Sequence, residues 1–173
     1  MGQPKQLMRI GSQTMLERVV DAAVDAGLGE VHVVLGYRAE AIRASLAGRP
    51  VHFTLNTAYQ EGLGSSVRAG AAALSPDADA AIFLLADQPG ITSAAIRQLI
   101  ARGTPQNIVC ASVGGRRTSP AVFGRRWFGE LAKVSGDMGG RAIIEAHPEA
   151  VVLVELEADL RDVDTPEDLA ALS

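Results

Sequence analysis

Apolar residues fall into two rhythms along this chain, and the rhythms alternate. In TMLERVVDAAVDAG (residues 14–27) they return every three to four positions, the spacing of one helix face. Thr14 and Glu17 stand at capping-box spacing at its start, and Gly27 supplies the positive φ that ends a helix. EVHVVLG (30–36) is a β-branched run that predicts a strand. YRAEAIRASLAG (37–48) returns to helical spacing, and VHFTLN (51–56) to the strand type. After a loop, TAYQEGLG (57–64), the segment SSVRAGAAAL (65–74) predicts a helix closed by Ser75-Pro76. AIFLLA (81–86) is the most continuously apolar run, which predicts a central parallel strand covered on both faces.

The second half repeats the alternation. ITSAAIRQLIARG (91–103) predicts a helix with Thr92 as N-cap. NIVCAS (107–112) and SPAVFG (119–124) predict short strands flanking a turn, GGRRT (114–118). Two helical stretches, around WFGELAKV (127–134) and GGRAIIEAH (139–147), precede the strand AVVLVEL (150–156). A last helix, PEDLAALS (166–173), has Pro166 at its first turn. Strands alternating with helices predict one domain over residues 1–173, a three-layer α/β/α fold with a mostly parallel sheet. Such sheets place ligands beyond the carboxyl ends of their strands. That rule singles out Gly36–Arg38, Asn56 through Ser66, and Asp87–Gly90.

Composition narrows the partners. A hydrophobic content of 47% with 21% charged residues belongs to a globular chain, and a net charge of -4 weighs against a nucleic-acid partner. The single cysteine, Cys110, sits in an apolar run and reads as a buried, inert thiol. With no signal, transit or membrane-spanning segment in the sequence, the cytoplasm is the expected compartment and no membrane partner is expected.

Five loops carry candidate chemistry. In LLADQPG, Asp87 follows a buried strand directly, a fixed position from which a carboxylate suits a hard cation such as Mg²⁺. Turn formation or helix capping accounts for it equally well. DVDTPED adds Asp162 and Asp164, either as partners of Asp87 or as part of a helix start capped at Asp164 or Thr165. EGLGSSVRAG sets Gly62, Gly64, Ser65 and Ser66 at a loop-to-helix transition suited to a phosphate or base, with Ser65 as a plain N-cap the simpler reading. GDMGGR (136–141) and GGRRTSP (114–120) supply Gly136, Asp137, Arg141, Arg116 and Arg117; arginine forks match phosphate oxygens, although most surface arginines are only solvated. His32, His52 and His147 read as structural or surface residues.

Taken in order, GQPKQL, NTAYQEGLGSS, LLADQPG, GGRRTSP, GDMGGR and DVDTPEDL resemble the MobA-like nucleotidyltransferases over essentially the whole chain. Within that family they are most similar to the molybdenum cofactor cytidylyltransferases. The resemblance implies a glycosyltransferase-A or Rossmann-like sheet and Mg²⁺-dependent transfer of CMP from CTP to the phosphate of molybdopterin. A molybdoenzyme would be the recipient of the product. It implies Asp87 and Asp164 as metal ligands and Lys5 against the triphosphate. Asn56, Gly64, Ser65 and Ser66 would lie near base and ribose, with Arg116, Gly136, Asp137 and Arg141 facing the acceptor. Family members carry a first strand and a glycine-rich phosphate loop ahead of the Pro4-Lys5 pair, so the expected fold lacks that strand and loop. Two other functions remain open: a nucleotidyltransferase for a sugar phosphate or other small acceptor, and a cofactor-binding accessory protein without catalysis.

Overall fold

The computed structural model describes residues 4–165 and Asp168. Its first helix forms where the capping residues direct it. Strand β1 (Arg9–Ile10) turns back at Gly11 onto β2 (Gln13–Thr14), a hairpin too short to leave a sequence rhythm. Helix α1 (Met15–Asp25) starts at once. Thr14 Oγ1 accepts from the Glu17 backbone N–H at 3.1 Å, and the Glu17 carboxylate accepts from the Thr14 backbone N–H at 2.6 Å. Such a box satisfies two orphan donors of the first turn, worth about 1 kcal/mol. Gly27, at φ 75°, turns the chain away after the helix.

Strand β3 (His32–Leu35) leads through α2 (Ala39–Ser45) to β4 (His52–Leu55), which pairs with β3 in parallel, Val33 opposite Phe53. Helix α3 (Leu63–Ala72) then carries the chain to β5 (Ala80–Phe83), and α4 (Ser93–Ile100) to β6 (Ile108–Val113). The hairpin partner β7 (Arg116–Gly124) follows, then α5 (Phe128–Leu131), α6 (Arg141–Ala146) and β8 (Val151–Glu155). Beta strands 5, 7, 6 and 8 form one sheet in that order. Strands β6 and β8 run parallel, while β7 is antiparallel to both of its neighbours.

Two cores on opposite faces of this sheet make the three layers. On one face, Val19 and Ala23 of α1 and Ile96 and Leu99 of α4 pack on Val109, Ala111 and Val122. On the other, Val67 of α3, Leu131 of α5 and Ile143 and Ile144 of α6 pack on Ile108, Cys110 and Phe123. Alternate residues of β6 thus serve alternate faces, as the pleat requires. A third cluster joins Leu16 and Val20 of α1 and Ile42 and Leu46 of α2 to Val33 and Leu35 of β3.

The differences from expectation concern pairing, which no local pattern encodes. The sheet is mixed: β3–β4 is a separate two-stranded parallel unit, and β3 and β5 share no ladder among the described residues. The run 81–86 is apolar because Ala80, Ile82 and Leu84 face one core and Phe83 the other. Its strand, however, spans only Ala80–Phe83 and its partner is the antiparallel β7, not a parallel neighbour. The expected turn at 114–118 contracts to Gly114 and Gly115, both at positive φ, the demand of a type I′ hairpin. Arg116 and Arg117 are consequently strand residues. The predicted helix 166–173 lies outside the described residues apart from Asp168. Its start is visible nonetheless: Thr165 Oγ1 accepts from the Asp168 N–H at 3.1 Å, and the Asp168 carboxylate accepts from the Thr165 N–H at 2.9 Å. Thr165 is therefore the cap, and the Asp164 carboxylate is left for other work. No helix among the described residues is long and apolar enough to cross a membrane.

Candidate active site

Asp87 lies four residues past the end of β5, in a loop stitched to the chain's tail by two hydrogen bonds. The Val163 N–H donates to the Asp87 carbonyl at 2.8 Å, and Gln88 Nε2 donates to Asp162 Oδ1 at 2.9 Å. Gln88 is buried, its side-chain oxygen without a hydrogen-bond partner among the described residues. This stitching consumes Asp162 and delivers the next carboxylate, Asp164, to the side of Asp87. Lys5, from a short 3₁₀ turn (Lys5–Leu7), then reaches both: its ammonium donates to Asp164 at 2.6 Å and to Asp87 at 3.3 Å. Residues 82 and 159 positions apart in sequence meet at one cation. The side chains are open to solvent to different degrees, Lys5 30%, Asp87 35% and Asp164 72%. Burial pulls the Lys5 ammonium down, but hydrogen bonding to Asp164 and the charge of Asp87 outweigh it and hold the group above its ordinary range.

A second constellation is neutral and buried. Asn56 closes β4, its backbone N–H donating to the Leu35 carbonyl at 2.7 Å. Its side-chain amide donates to Ser65 Oγ at 2.8 Å and to Ser66 Oγ at 3.2 Å, while its oxygen accepts from the Ala58 N–H at 3.0 Å. Ser65 Oγ in turn donates to the Gly62 carbonyl at 2.8 Å. Ser65 is thus not the N-cap; Gly62 is, at φ 95°, and both serines sit inside the first turn of α3. Gly64 N–H donates to the Gly136 carbonyl at 2.8 Å, and a Cβ on Gly64 would stand 2.8 Å from that same oxygen. A Cβ on Gly62 would collide with the Asp137 carboxylate. Glycine at both positions lets the 136–137 loop close onto the helix start. Asn56, Gly64, Ser65, Ser66, Gly136 and Asp137 therefore form one clasp.

The remaining arginines form a third group. Arg141 Nε donates to Glu145 at 2.7 Å within α6, and Arg117 lies 3.7 Å from the same carboxylate, joining the β6–β7 hairpin to α6. Arg116 is exposed at the start of β7. No described contact joins this group to Lys5. Glu145 escaped the sequence reading because an acidic residue on a helix carries no motif; its spacing of four from Arg141 was the available signal. The histidines have structural surroundings: His32 stacks on His52 at 5.1 Å between ring centres, and His147 packs against Trp127 at 4.7 Å. Burial pushes the Cys110 thiol up to about 11, so it is no nucleophile at neutral pH.

Two carboxylates on separate loops, steered to one cation, suit a hard divalent ion that keeps its other positions for water and phosphate oxygens. The Lys5 ammonium already seated between them is an internal sign that this spot favours positive charge.

Comparison with known proteins gives the family and the fold. The family model described as MobA-like NTP transferase domain matches residues 1–151. The nicotine blue oxidoreductase of Paenarthrobacter nicotinovorans is 30% identical, aligned over 98% of this chain and 87% of its own length. The bifunctional protein GlmU of Stenotrophomonas maltophilia is 34% identical over 82% of this chain but only 29% of that protein, so this chain spans under a third of it. Among solved structures, Rv0371C of Mycobacterium tuberculosis H37Rv in complex with manganese superposes with a TM-score of 0.85 at 30% identity, covering 99% of this chain and 92% of that one. A nucleotidyl transferase of Methanothermobacter shares the fold, with a TM-score of 0.86 at 21% identity over 97% of this chain and 82% of that one.

Proposed function

We propose, from the premise that this chain belongs to the MobA-like NTP transferase family, that it transfers CMP from CTP to the phosphate of molybdopterin and releases pyrophosphate. The observation that carries this reading is the meeting of Lys5, Asp87 and Asp164 at one point past the sheet. Asp87 and Asp164 would hold Mg²⁺, and the manganese complex of Rv0371C, a protein 30% identical to this one, supports a divalent ion in this fold. When bound, that ion supplies neutralisation of the triphosphate's charge.

An oxygen of the acceptor phosphate attacks the α-phosphorus of CTP as the bond from that phosphorus to the bridging oxygen breaks, and pyrophosphate leaves with that electron pair. The attacking oxygen is already anionic, so no side chain need remove a proton. The chain's work is therefore placement and charge. Lys5 would face the triphosphate. The clasp built on Asn56 fixes the shape of the α3 start, where half-buried Ser66 would meet base and ribose. Arg116 and Arg141, with Gly136 and Asp137, would receive the acceptor. Arg141 would exchange its bond to Glu145 for a phosphate.

Pyrophosphate release with CTP, GTP or ATP, each with molybdopterin, with a sugar 1-phosphate and with no acceptor, tests the reading. Release confined to CTP and molybdopterin supports it. Release confined to the sugar phosphate would replace the acceptor, and molybdopterin binding without release would replace catalysis with carriage.

A further inference from the structure

The ammonium of Lys5 occupies the very ground that a divalent ion would need. Its hydrogen bonds of 2.6 Å to Asp164 and 3.3 Å to Asp87 point both carboxylates at nitrogen. A divalent ion held by these oxygens would sit at about 2.0–2.6 Å from them, well inside the space the ammonium fills. Lys5 takes one oxygen of each carboxylate, and two cations between the same pair repel each other at short range, so they compete for the space between the carboxylates. Lysine is suited to leave: its charge rides on a flexible four-carbon stem, unlike the rigid fork of arginine.

We propose that Lys5 is a resident counter-cation of the Asp87–Asp164 pair, which a divalent ion must displace before it binds. This rests on the metal-site reading above and adds a cost to it. While Lys5 is seated, the two carboxylates are partly neutralised and held together, so the site is shaped for a divalent ion but closed to it. Entry of the ion releases the ammonium, which then becomes available to an incoming anion. The consequence is linkage: metal alone binds weakly, and a ligand that draws Lys5 away strengthens metal binding by the same factor that metal strengthens its own. No other lysine competes for the role, since the chain's second lysine, Lys133, lies on the exposed stretch after α5.

Two measurements on the full chain test this. The first is Mn²⁺ binding without nucleotide, read from the loss of the free-ion electron paramagnetic resonance signal. Lys5→Gln should bind Mn²⁺ roughly tenfold more tightly than wild type, within the ordinary range of site coupling. Lys5→Arg, whose fork leaves less readily, should bind Mn²⁺ no more tightly than wild type, and Asp87→Asn should lose the site. Thermal melts establish that each variant is folded. A lysine that was merely structural would not make metal binding tighter when removed. Equal or weaker binding by Lys5→Gln, with Asp87→Asn still defective, would overturn the displacement and leave the metal site standing. No stoichiometric Mn²⁺ on any form would overturn both.

The second measurement needs no altered residue at position 5. Uniform ¹³C,¹⁵N labelling reads both lysines unmodified through their Cε–Hε NMR signals, and a Lys133→Arg variant assigns the two. Adding Mg²⁺ should move the Lys5 signal to saturation and leave that of Lys133 in place. A Lys5 signal unmoved while Mg²⁺ binds would contradict the proposal.

Discussion

The acidic pair and the glycine clasp lie at the ends of different strands and are built on opposite principles. At the acidic pair, three charged side chains keep their exposure to water, and two anions share one cation. At the clasp, Asn56 is 5% exposed and Ser65 2%, and the Asn56 amide and oxygen both have partners. Exposed ion pairs contribute little stability and exchange partners readily. Buried, satisfied polar networks do the reverse: they hold one geometry and are costly to break. The first region is built for exchange and the second for shape, so substitutions should separate activity from stability.

The largest expected effect is on activity alone. Asp87→Ala should lower pyrophosphate release by at least roughly a hundredfold, as loss of a metal-holding carboxylate does, while the melting temperature moves little. An equally large drop in stability would erase the distinction between the regions. Gly64→Val should act the other way. Its Cβ would press on the Gly136 carbonyl and the Ser135 backbone at 2.8 Å, with no flexible side chain to yield. Overpacking of this kind costs about 1–3 kcal/mol, or roughly 2–10 °C in a chain of this size, and differential scanning calorimetry reads it.

How far such contrasts were visible in the sequence depends on distance along the chain. Thr14 with Glu17, and Thr92, whose hydroxyl accepts from the Ala95 N–H at 3.2 Å, are caps whose partners lie three residues on, and a linear reading finds them. Asp87 and Asp164 read as a pair because each follows a strand-like run and the resemblance joins them. Nothing local says that Gln88 takes Asp162 and leaves Asp164. The hairpin β1–β2 has two residues in each strand, too few for periodicity. Likewise, Asn56 reads as a ligand-facing residue because the sequence cannot show that its amide is already spent on Ser65 and Ser66. Pairing, register and saturation arise between distant segments, and there the linear pattern is silent.

Smaller effects sharpen the contrast. Asn56→Ala should cost about 1–3 kcal/mol by leaving the Ser65 and Ser66 hydroxyls and the Ala58 N–H with fewer partners, and urea unfolding measures it. Metal affinity should stay within about twofold, since the clasp holds no ligand of the ion. The smallest effect involves no residue of either region. The Thr14 backbone N–H, against the opposing pull of burial and aided by Arg49, holds the Glu17 carboxyl below its ordinary 4.5. A carboxyl lowered in the folded state contributes stability that is present above its unfolded value and is lost as pH falls through the folded one. Glu17→Gln should therefore cost about 1 kcal/mol at neutral pH and flatten the acid side of the stability profile below about pH 4.5, as melts across pH would record.

The central claim is that Asp87 and Asp164 hold one divalent ion together, and anomalous diffraction at the manganese edge from crystals grown with Mn²⁺ and CTP tests it most directly. The account predicts a single strong peak about 2.0–2.3 Å from an oxygen of each carboxylate, with the Lys5 ammonium withdrawn toward the phosphates. A peak bound to Asp87 without Asp164, or lying elsewhere with the Lys5 bonds to both carboxylates intact, would contradict it.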